Sequence, residues 1–125
     1  MTTRSTRKSR EAKGRRAEWI AAAWLWLRGY RLLGRRVRAA GGEIDLVMRD
    51  GDSLVFVEVK ARATLDSGLL ALHPAARRRI DAASRQLAPH WSRGCVSSRI
   101  DVVVIRPWRW PVHFKAAWRE GDRWN

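Results

Sequence analysis

Hydrophobic and polar residues alternate with two different periods along this chain, and each period predicts a different kind of element. Within 14–28 the apolar residues recur at spacings of three and four, the pattern of one helix face, and Gly29 ends it. The residues expected to face the core are Ala17, Ile20, Ala21, Trp24 and Leu27. The same spacing within 75–87 predicts a second helix. Its core face would consist of Ala76, Ile80, Ala83 and Leu87.

Shorter segments with strict alternation, or with runs of β-branched residues, predict strands between and after these helices. They are residues 30–39, bent at Gly34, then 42–49, 52–62, 99–106 and an edge strand at 112–118. Residues 62–74 predict a loop. The order α, β, β, β, α, β, β indicates an α/β fold with a central mixed sheet flanked by helices.

A hairpin is predicted between the second and third strands, because Asp50-Gly51 is the strongest short-range turn signal in the chain. A two-residue turn there fixes the register of the whole ladder. Its pairs would be Arg49 with Asp52, Asp45 with Phe56, and Glu43 with Glu58. A slip of one residue would move one strand's acids to the other face, so the predicted grouping of the acids depends on the turn.

In this register Glu43, Asp45, Glu58 and Lys60 project from one face, with Asp45 and Glu58 as diagonal neighbours. Two carboxylates on a half-buried face repel each other, and desolvation adds to that cost. Lys60 would offset part of the charge, and Mg²⁺ with oxygen ligands would offset more. For any single acid the alternative is a solvated position paired with a nearby arginine.

The positive net charge of the chain predicts a polyanionic partner. With 26 Lys and Arg against 12 Asp and Glu the net charge is +14, which is typical of a nucleic-acid-binding protein. DNA is favoured over RNA, and an anionic membrane surface stays an alternative. No segment approaches the ~20 apolar residues that cross a bilayer. The single cysteine, Cys95, excludes an internal disulfide, so the sequence predicts a cytoplasmic protein without a membrane span.

The length of 125 residues predicts one domain with two appendages. Residues 1–13 are polar, basic and without periodicity, which predicts a mobile arm. The domain itself would span 14–106, and 107–125 form a tail that adds the edge strand to it. Four tryptophans of this tail fit either a homodimer contact or a base-stacking platform. They are Trp108, Trp110, Trp118 and Trp124.

Several other residues with reactive side chains are assigned structural or incidental roles. Asp101 lies inside the strand "RIDVVV", where a hydrogen-bonded structural aspartate is favoured over an extra acid near the site. The three histidines lack the spacing of metal ligands and are expected to be incidental. They are His73, His90 and His113. Cys95 has no neighbours typical of a nucleophile.

The longest distinctive segments are "GRRAE", "GGEIDLVMRDGDSLVFVEVK" and "RIDVVV". Their order and spacing resemble the YraN-like family of small bacterial proteins. That resemblance implies a restriction-endonuclease-like fold with the PD-(D/E)xK nuclease pattern, related to archaeal Holliday-junction resolvases. The chain departs from the pattern in two places. No proline precedes Asp45, and Ala76 and Arg77 stand where relatives tend to carry a Lys-Gln pair.

The resemblance also implies a site. Asp45 and Glu58, with Glu18 from the first helix, would hold Mg²⁺ or Mn²⁺, and Lys60 would complete the catalytic set. A group of arginines would contact phosphates. These are Arg35, Arg36, Arg38, Arg77, Arg78 and Arg79. The implied activity is metal-dependent phosphodiester hydrolysis on branched or structured DNA. Two alternatives stay open: a non-catalytic nucleic-acid-binding module with this fold, or a protein-interaction module that uses its tryptophans.

Overall fold

The computed structural model describes residues 3–39 and 41–118, with side chains from Gly14 onward. The helices are α1 (Thr3–Trp26), α2 (Leu65–Leu70) and α3 (Pro74–Trp91). The strands are β1 (Arg31–Ala39), β2 (Gly42–Asp50), β3 (Ser53–Ala61), β4 (Ser97–Ile105) and β5 (Val112–Trp118). Within the described residues no helix is both long and apolar enough to cross a membrane.

The five strands form one sheet in the order β1-β2-β3-β4-β5. Neighbours are antiparallel except β3 and β4, which run parallel because α2 and α3 carry the chain across the sheet between them. The predicted α/β architecture, a mixed sheet flanked by helices, is therefore confirmed.

The hydrophobic core has two layers, one on each side of the sheet. On one side Ile80 and Leu87 of α3 pack with Leu54 and Phe56. On the other side buried residues of α1 pack against the opposite face of β3; they are Ala21, Ala22 and Leu25, against Val55 and Val57. Because β3 is covered on both faces, its sequence is a nearly continuous apolar run interrupted only where the acid and lysine stand.

The first helix differs from its prediction in its start and in its buried face. It begins at Thr3 rather than near Gly14, because nothing before Gly14 breaks a helix and its Arg, Lys, Glu and Ala favour one. Ile20 is 42% exposed and Leu27 73% exposed, so their predicted core positions are wrong. The stripe that packs inward is shifted by about one residue. It consists of Ala17, Glu18, Ala21, Ala22 and Leu25.

The segment between β3 and β4 is more helical than predicted. The expected loop at 62–74 contains α2, capped by Thr64, whose Oγ1 accepts the N–H of Ser67 at 3.1 Å. Helix α3 runs on through Pro89 to Trp91, beyond the predicted end at residue 87. Its predicted core face is confirmed, since all four residues are buried. His73 is not incidental, because its Nδ1 accepts the Ala76 N–H at 3.3 Å and caps α3.

The hairpin register is shifted by two residues from its prediction. Asp50 pairs with Ser53, so the turn is formed by Gly51 and Asp52 instead of Asp50 and Gly51. Gly51 has φ +61° at the first central position, the pattern of a type II′ turn, which favours glycine there. A shift of two residues keeps the paired residues of the ladder, 46–50 and 53–57, on their predicted faces, whereas a shift of one would have reversed them. Beyond the ladder the alternation of β2 breaks, because Ile44 packs in the same core layer as Val47.

Candidate functional site

Three of the four predicted catalytic side chains lie at the end of the β2–β3 ladder. Asp45 of β2 and Glu58 and Lys60 of β3 line a pocket of about 570 Å³. Helix α1 forms its other wall, where Glu18 is the fourth predicted residue. The structure therefore brings all four into one concave site. Arg62, two residues after Lys60 and just past the end of β3, also lines the pocket and was not predicted from the sequence.

Asp45 is held in place by its own contact with β3. The regular ladder between the two strands ends at Leu46 and Val57. Beyond that point the Oδ2 atom of Asp45 accepts the backbone N–H of Val59 at 2.8 Å. The carboxylate thus takes a position that strand pairing would otherwise occupy, directly beside Glu58. The sequence predicts a diagonal arrangement of the two acids. In the structure the two carboxyl groups lie close enough for the charge of Glu58 to raise the pKa of Asp45.

Glu58 and Lys60 form an ion pair inside the pocket. The Nζ atom of Lys60 lies 3.1 Å from Oε1 of Glu58, and Glu58 as a whole is only 9% exposed. Glu43 does not join them, although its face was predicted to be shared. Its half-exposed carboxylate lies 3.7 Å from the exposed Nε of Arg38 instead.

The electrostatics of the two carboxylates follow from their burial and closeness. Burial, and then the negative charge of Glu58, raises the pKa of Asp45 to about 8 despite the Val59 hydrogen bond. Burial likewise raises the pKa of Glu58, while Lys60 acts in the opposite direction. Near neutral pH the two carboxyl groups therefore either retain a proton between them or are stabilised by a bound cation.

The donor set fits a divalent metal ion held by two carboxylates. Mg²⁺ commonly binds one or two protein carboxylates and keeps several waters, which Asp45 and Glu58 can satisfy. Among the described residues, no group of three or more His, Cys, Asp or Glu side chains is arranged to hold a metal. Glu18 reaches the pocket, but as a partner of arginine: its Oε1 accepts from Nε of Arg36 at 2.9 Å.

The Glu18–Arg36 pair depends on an irregular strand. Arg36 has φ +51°, a left-handed conformation that is unfavourable for a long side chain. The alternation of β1 is broken near this point, and the guanidinium reaches the buried carboxylate of α1. Arg35 lies 3.7 Å from the same Oε1 atom. The only sequence signal for this pair was the occurrence of two adjacent arginines after Gly34. A left-handed residue inside a strand cannot be predicted from the sequence.

The six arginines predicted to contact phosphates divide into two groups. Arg35 and Arg36 face α1, where the guanidinium of Arg35 also stacks 4.0 Å from the Trp19 ring centroid. Arg77 is held by the carbonyl of Leu72, at 2.8 Å from Nε. The other three have exposed side chains. They are Arg38, Arg78 and Arg79.

Asp101 lies in the middle of β4 and is fully buried. The prediction that it is a hydrogen-bonded structural aspartate is confirmed. Its carboxylate accepts from the Tyr30 hydroxyl at 3.2 Å, Arg99 Nε at 3.0 Å and the Ala116 N–H at 2.9 Å, and His113 Nε2 lies at 2.8 Å. Burial would raise the pKa of Asp101, but the bonds from His113 and the Ala116 N–H, with Arg99, outweigh it and hold the pKa below its ordinary value. The prediction that His113 is incidental was therefore wrong.

The sequence of this chain matches a known family over the first four strands of the sheet and most of the residues that line the pocket. The model of "Uncharacterised protein family UPF0102" matches residues 17–105, which is most of the chain. The chain belongs to the UPF0102 family. This is the YraN family, so the resemblance seen in "GGEIDLVMRDGDSLVFVEVK" is confirmed. The matched region contains all four residues of the predicted catalytic set.

Curated relatives match the chain over nearly its whole length. A UPF0102 protein of Maricaulis maris is 53% identical over 117 residues, covering 93% of this chain and 92% of the relative. One from Mesorhizobium japonicum is 47% identical over 114 residues, covering 90% and 91%. One from Rhizorhabdus wittichii is 44% identical over 112 residues, covering 90% and 95%.

We expect Mg²⁺ or Mn²⁺ to raise the melting temperature of the wild type, because a cation relieves the repulsion between Asp45 and Glu58. A ligand at ~10 times its Kd adds about 1.4 kcal/mol to the free energy of unfolding. Asp45→Asn should melt higher than wild type in chelator and gain nothing from metal. Differential scanning fluorimetry measures both effects, with Glu43→Gln as control. If metal leaves the wild type unchanged while Asp45→Asn still melts higher, the pair is a vestigial, repulsive cluster.

Proposed function

We propose that this UPF0102 chain is a metal-dependent, nuclease-like protein that binds nucleic acid and hydrolyses phosphodiester bonds, with branched or structured DNA as the favoured substrate. The observation that carries this proposal is the pair of carboxylates formed by half-buried Asp45 and buried Glu58, with Lys60 bound to Glu58 at 3.1 Å. Such a pair is costly for stability. Its position at an open pocket makes catalysis a better explanation than packing.

Each residue of the site has a distinct part in this mechanism. Asp45 and Glu58 would hold Mg²⁺ or Mn²⁺ at the pocket, with Asp45 fixed by the Val59 N–H. When bound, the metal supplies Lewis-acid polarisation of a phosphoryl oxygen and a more acidic water. The ammonium of Lys60 supplies positive charge next to the scissile group and stabilises the negative charge that develops there.

The net charge of +14 supports the polyanionic substrate. Arg38, Arg78 and Arg79 are exposed and able to approach phosphates, while Arg62 lies in the pocket itself. Contacts of this kind fix the position of a nucleic acid without reading its sequence. We therefore attribute positioning to the arginines and chemistry to the carboxylates and the lysine.

The direct test is single-turnover cleavage of labelled four-way junction, linear duplex and single-stranded DNA, with Mg²⁺, Mn²⁺ or chelator. Metal-dependent cleavage that is lost in Asp45→Asn and in Glu58→Gln is the expected result. Glu43→Gln is the matched control, because Glu43 is an acid of the same hairpin that lies outside the pocket and should be dispensable. Cleavage that survives both pocket substitutions would refute the assignment of the site.

We expect binding to nucleic acid to be tolerant of sequence and strongly dependent on salt. With about six phosphate contacts, the affinity should fall by roughly a thousandfold between 50 and 200 mM salt. Fluorescence anisotropy with chelator present measures this without cleavage. An affinity that stays constant over that range would contradict the role assigned to the arginines.

A second candidate is a nucleic-acid-binding module without catalysis. It is favoured by the hydrogen bond between Glu18 and Arg36. Proteins of this fold often use an acid at the position of Glu18 as a metal ligand, and here that carboxylate is bound to an arginine. Salt-dependent binding with no cleavage under any metal condition would support this candidate. The same result would restrict the carboxylate pair to a structural or metal-binding role.

A further inference from the structure

A second, larger groove adjoins the carboxylate pocket. It has a volume of about 1010 Å³ and lies between α1, the end of β3 and the turn that follows β4. Ala17, Ala61 and Arg62 line both cavities, so the two lie side by side. Ile20, which the helix pattern placed in the core, is exposed here and forms part of an apolar wall.

The turn after β4 presents a tryptophan to solvent in an unfavourable backbone conformation. The Arg109 N–H lies 3.4 Å from the Arg106 carbonyl, and Pro107 and Trp108 are the central residues, as in a type II turn. Trp108 has φ +58° where glycine or asparagine is usual, and its side chain is fully exposed. A large indole in this position costs stability, which is typical of a residue kept for function.

A second tryptophan beside it is held in place rather than free. The rings of Trp110 and Trp24 lie 5.5 Å apart at 33°, and Arg28 stacks on the Trp24 ring from 4.6 Å. Trp110 nevertheless remains 78% exposed. Its ring is therefore a pre-oriented flat surface at the rim of the groove, which lowers the entropy cost of stacking a ligand on it.

The charge of the groove identifies the kind of ligand. Four arginines line it, and within the described residues its lining contains no carboxylate. They are Arg16, Arg62, Arg106 and Arg109. In the part of the chain that the structure describes, Arg106 Nε is buried without a hydrogen-bond partner. Flat aromatic rings interleaved with cations suit a polyanion that also carries flat rings.

We infer that this groove binds an unpaired, single-stranded stretch of nucleic acid and leads it to the carboxylate pocket. Trp108 and Trp110 would stack on bases, and the four arginines would contact phosphates. The inference rests on the proposed function in taking nucleic acid as the partner, and it adds the substrate class. Stacking on an indole requires a base with a free face, which a continuous duplex does not offer.

Two other occupants are less suited to this geometry. A membrane surface contacts convex or flat faces, whereas here the arginines line a concave groove that adjoins a charged pocket. A second copy of the chain would bring a net charge of +14 towards an equally basic surface. A single strand of nucleic acid meets neither difficulty, because it is both narrow and anionic.

The test compares binding of a labelled oligothymidylate and of a blunt duplex of equal length, in chelator at low salt, by fluorescence anisotropy. Trp110→Ala and Trp108→Gly should each weaken oligothymidylate binding by about 5- to 150-fold. Duplex binding should change much less. Trp26→Ala is the matched control, since Trp26 is 66% exposed on α1 but outside the groove.

Trp108→Gly also separates a lost contact from a lost fold. Glycine adopts a positive φ without strain, so the melting temperature of this variant should equal or exceed that of wild type while its affinity falls. Affinity for oligothymidylate that both substitutions leave unchanged would overturn the inference. So would Trp108-dependent binding to anionic phosphatidylserine vesicles in place of the oligonucleotide, or Trp108-dependent self-association of the free protein.

The outcomes distinguish this inference from the proposed function. Tryptophan-dependent binding of single strands without metal-dependent cleavage would support the groove as a binding site and refute the proposed nuclease activity. The opposite outcome is cleavage that needs Asp45 and Glu58 while the affinity for oligothymidylate is independent of both tryptophans. That result would refute the groove as a binding site and support the proposed nuclease activity. If no nucleic acid binds at all, both are refuted.

Discussion

Replacing Asp101 with alanine should lower the free energy of unfolding by about 3–5 kcal/mol, because it leaves buried donors without their acceptor. Its partners include Arg99, whose side chain is 16% exposed, and His113, whose side chain is 9% exposed. A domain of this size is stable by only ~5–15 kcal/mol, so the variant should melt about 10 °C lower or more. Urea unfolding followed by tryptophan fluorescence measures the change.

The carboxylate of Asp101 should also make the free energy of unfolding depend on pH in the acidic range. The folded-state pKa of Asp101 is lowered, so its stabilisation is complete above the unfolded pKa, near 3.9, and is lost as pH falls through the folded pKa. Wild type should therefore lose stability below about pH 4 more steeply than Asp101→Asn. Equal slopes for the two proteins would contradict this account.

Asp50→Asn is the graded control for Asp101. Asp50 also pairs with Arg99, at 2.9 Å, but its side chain is 32% exposed. Water screens such a pair, so the loss should be about 1 kcal/mol or less. A loss as large as that of Asp101→Ala would mean that Arg99, rather than the buried carboxylate, organises this cluster.

Local patterns were sufficient to predict the architecture, and the hairpin shows where they stop. The alternation in β2 and β3 predicted which side chains share a face, and this is confirmed for the paired residues 46–50 and 53–57. It fails at the start of β2, where Ile44 packs in the same layer as Val47 and Glu43 lies outside the pocket. The choice between Asp50-Gly51 and Gly51-Asp52 as turn residues depends on whether the glycine takes the first or second central position. Both choices satisfy the same sequence signal, and they differ by an even shift that leaves the faces unchanged.

The buried face of α1 was predicted less well because alanine carries little information. Residues 21–23 are all alanine, so the stripe through Ile20 and Trp24 and the one through Ala22 and Leu25 fit the helical period equally well. The packing of small alanines against the sheet, with Leu25 fully buried, decides between them. Local propensity cannot make that choice, because it is a property of the tertiary contact.

The candidate site shows the same division between local and non-local information. Asp45, Glu58 and Lys60 belong to one hairpin, so a strand pattern was enough to bring them together. The pairing of Glu18 with Arg36, and of Asp101 with His113, joins residues on different elements of the fold. No spacing rule relates such residues, so neither pair could be predicted from the sequence.

Lys60→Ala should lower the single-turnover cleavage rate by ~10²–10³ while leaving metal and nucleic-acid binding nearly unchanged. A protonated lysine cannot be a ligand of a cation, so in the proposed hydrolysis the part assigned to Lys60 is to stabilise charge that develops during the reaction. Glu58→Gln should behave differently, because loss of a ligand removes metal-dependent stabilisation and cleavage together. The measurements are the cleavage rate under saturating enzyme and the metal-induced rise in melting temperature.

The control for this prediction is Lys115→Ala, which removes a lysine of equal charge that lies beside Asp50, 3.7 Å away and on another part of the sheet. It should leave the cleavage rate unchanged. The Lys60–Glu58 contact of 3.1 Å admits one competing role, in which the lysine only offsets the charge of the two carboxylates. In that case Lys60→Ala would keep its cleavage rate and change only the stability of the metal-free protein, because the repulsion between Glu58 and Asp45 would then be unscreened. The ratio of the two effects therefore decides whether Lys60 is a catalytic residue or a counter-ion.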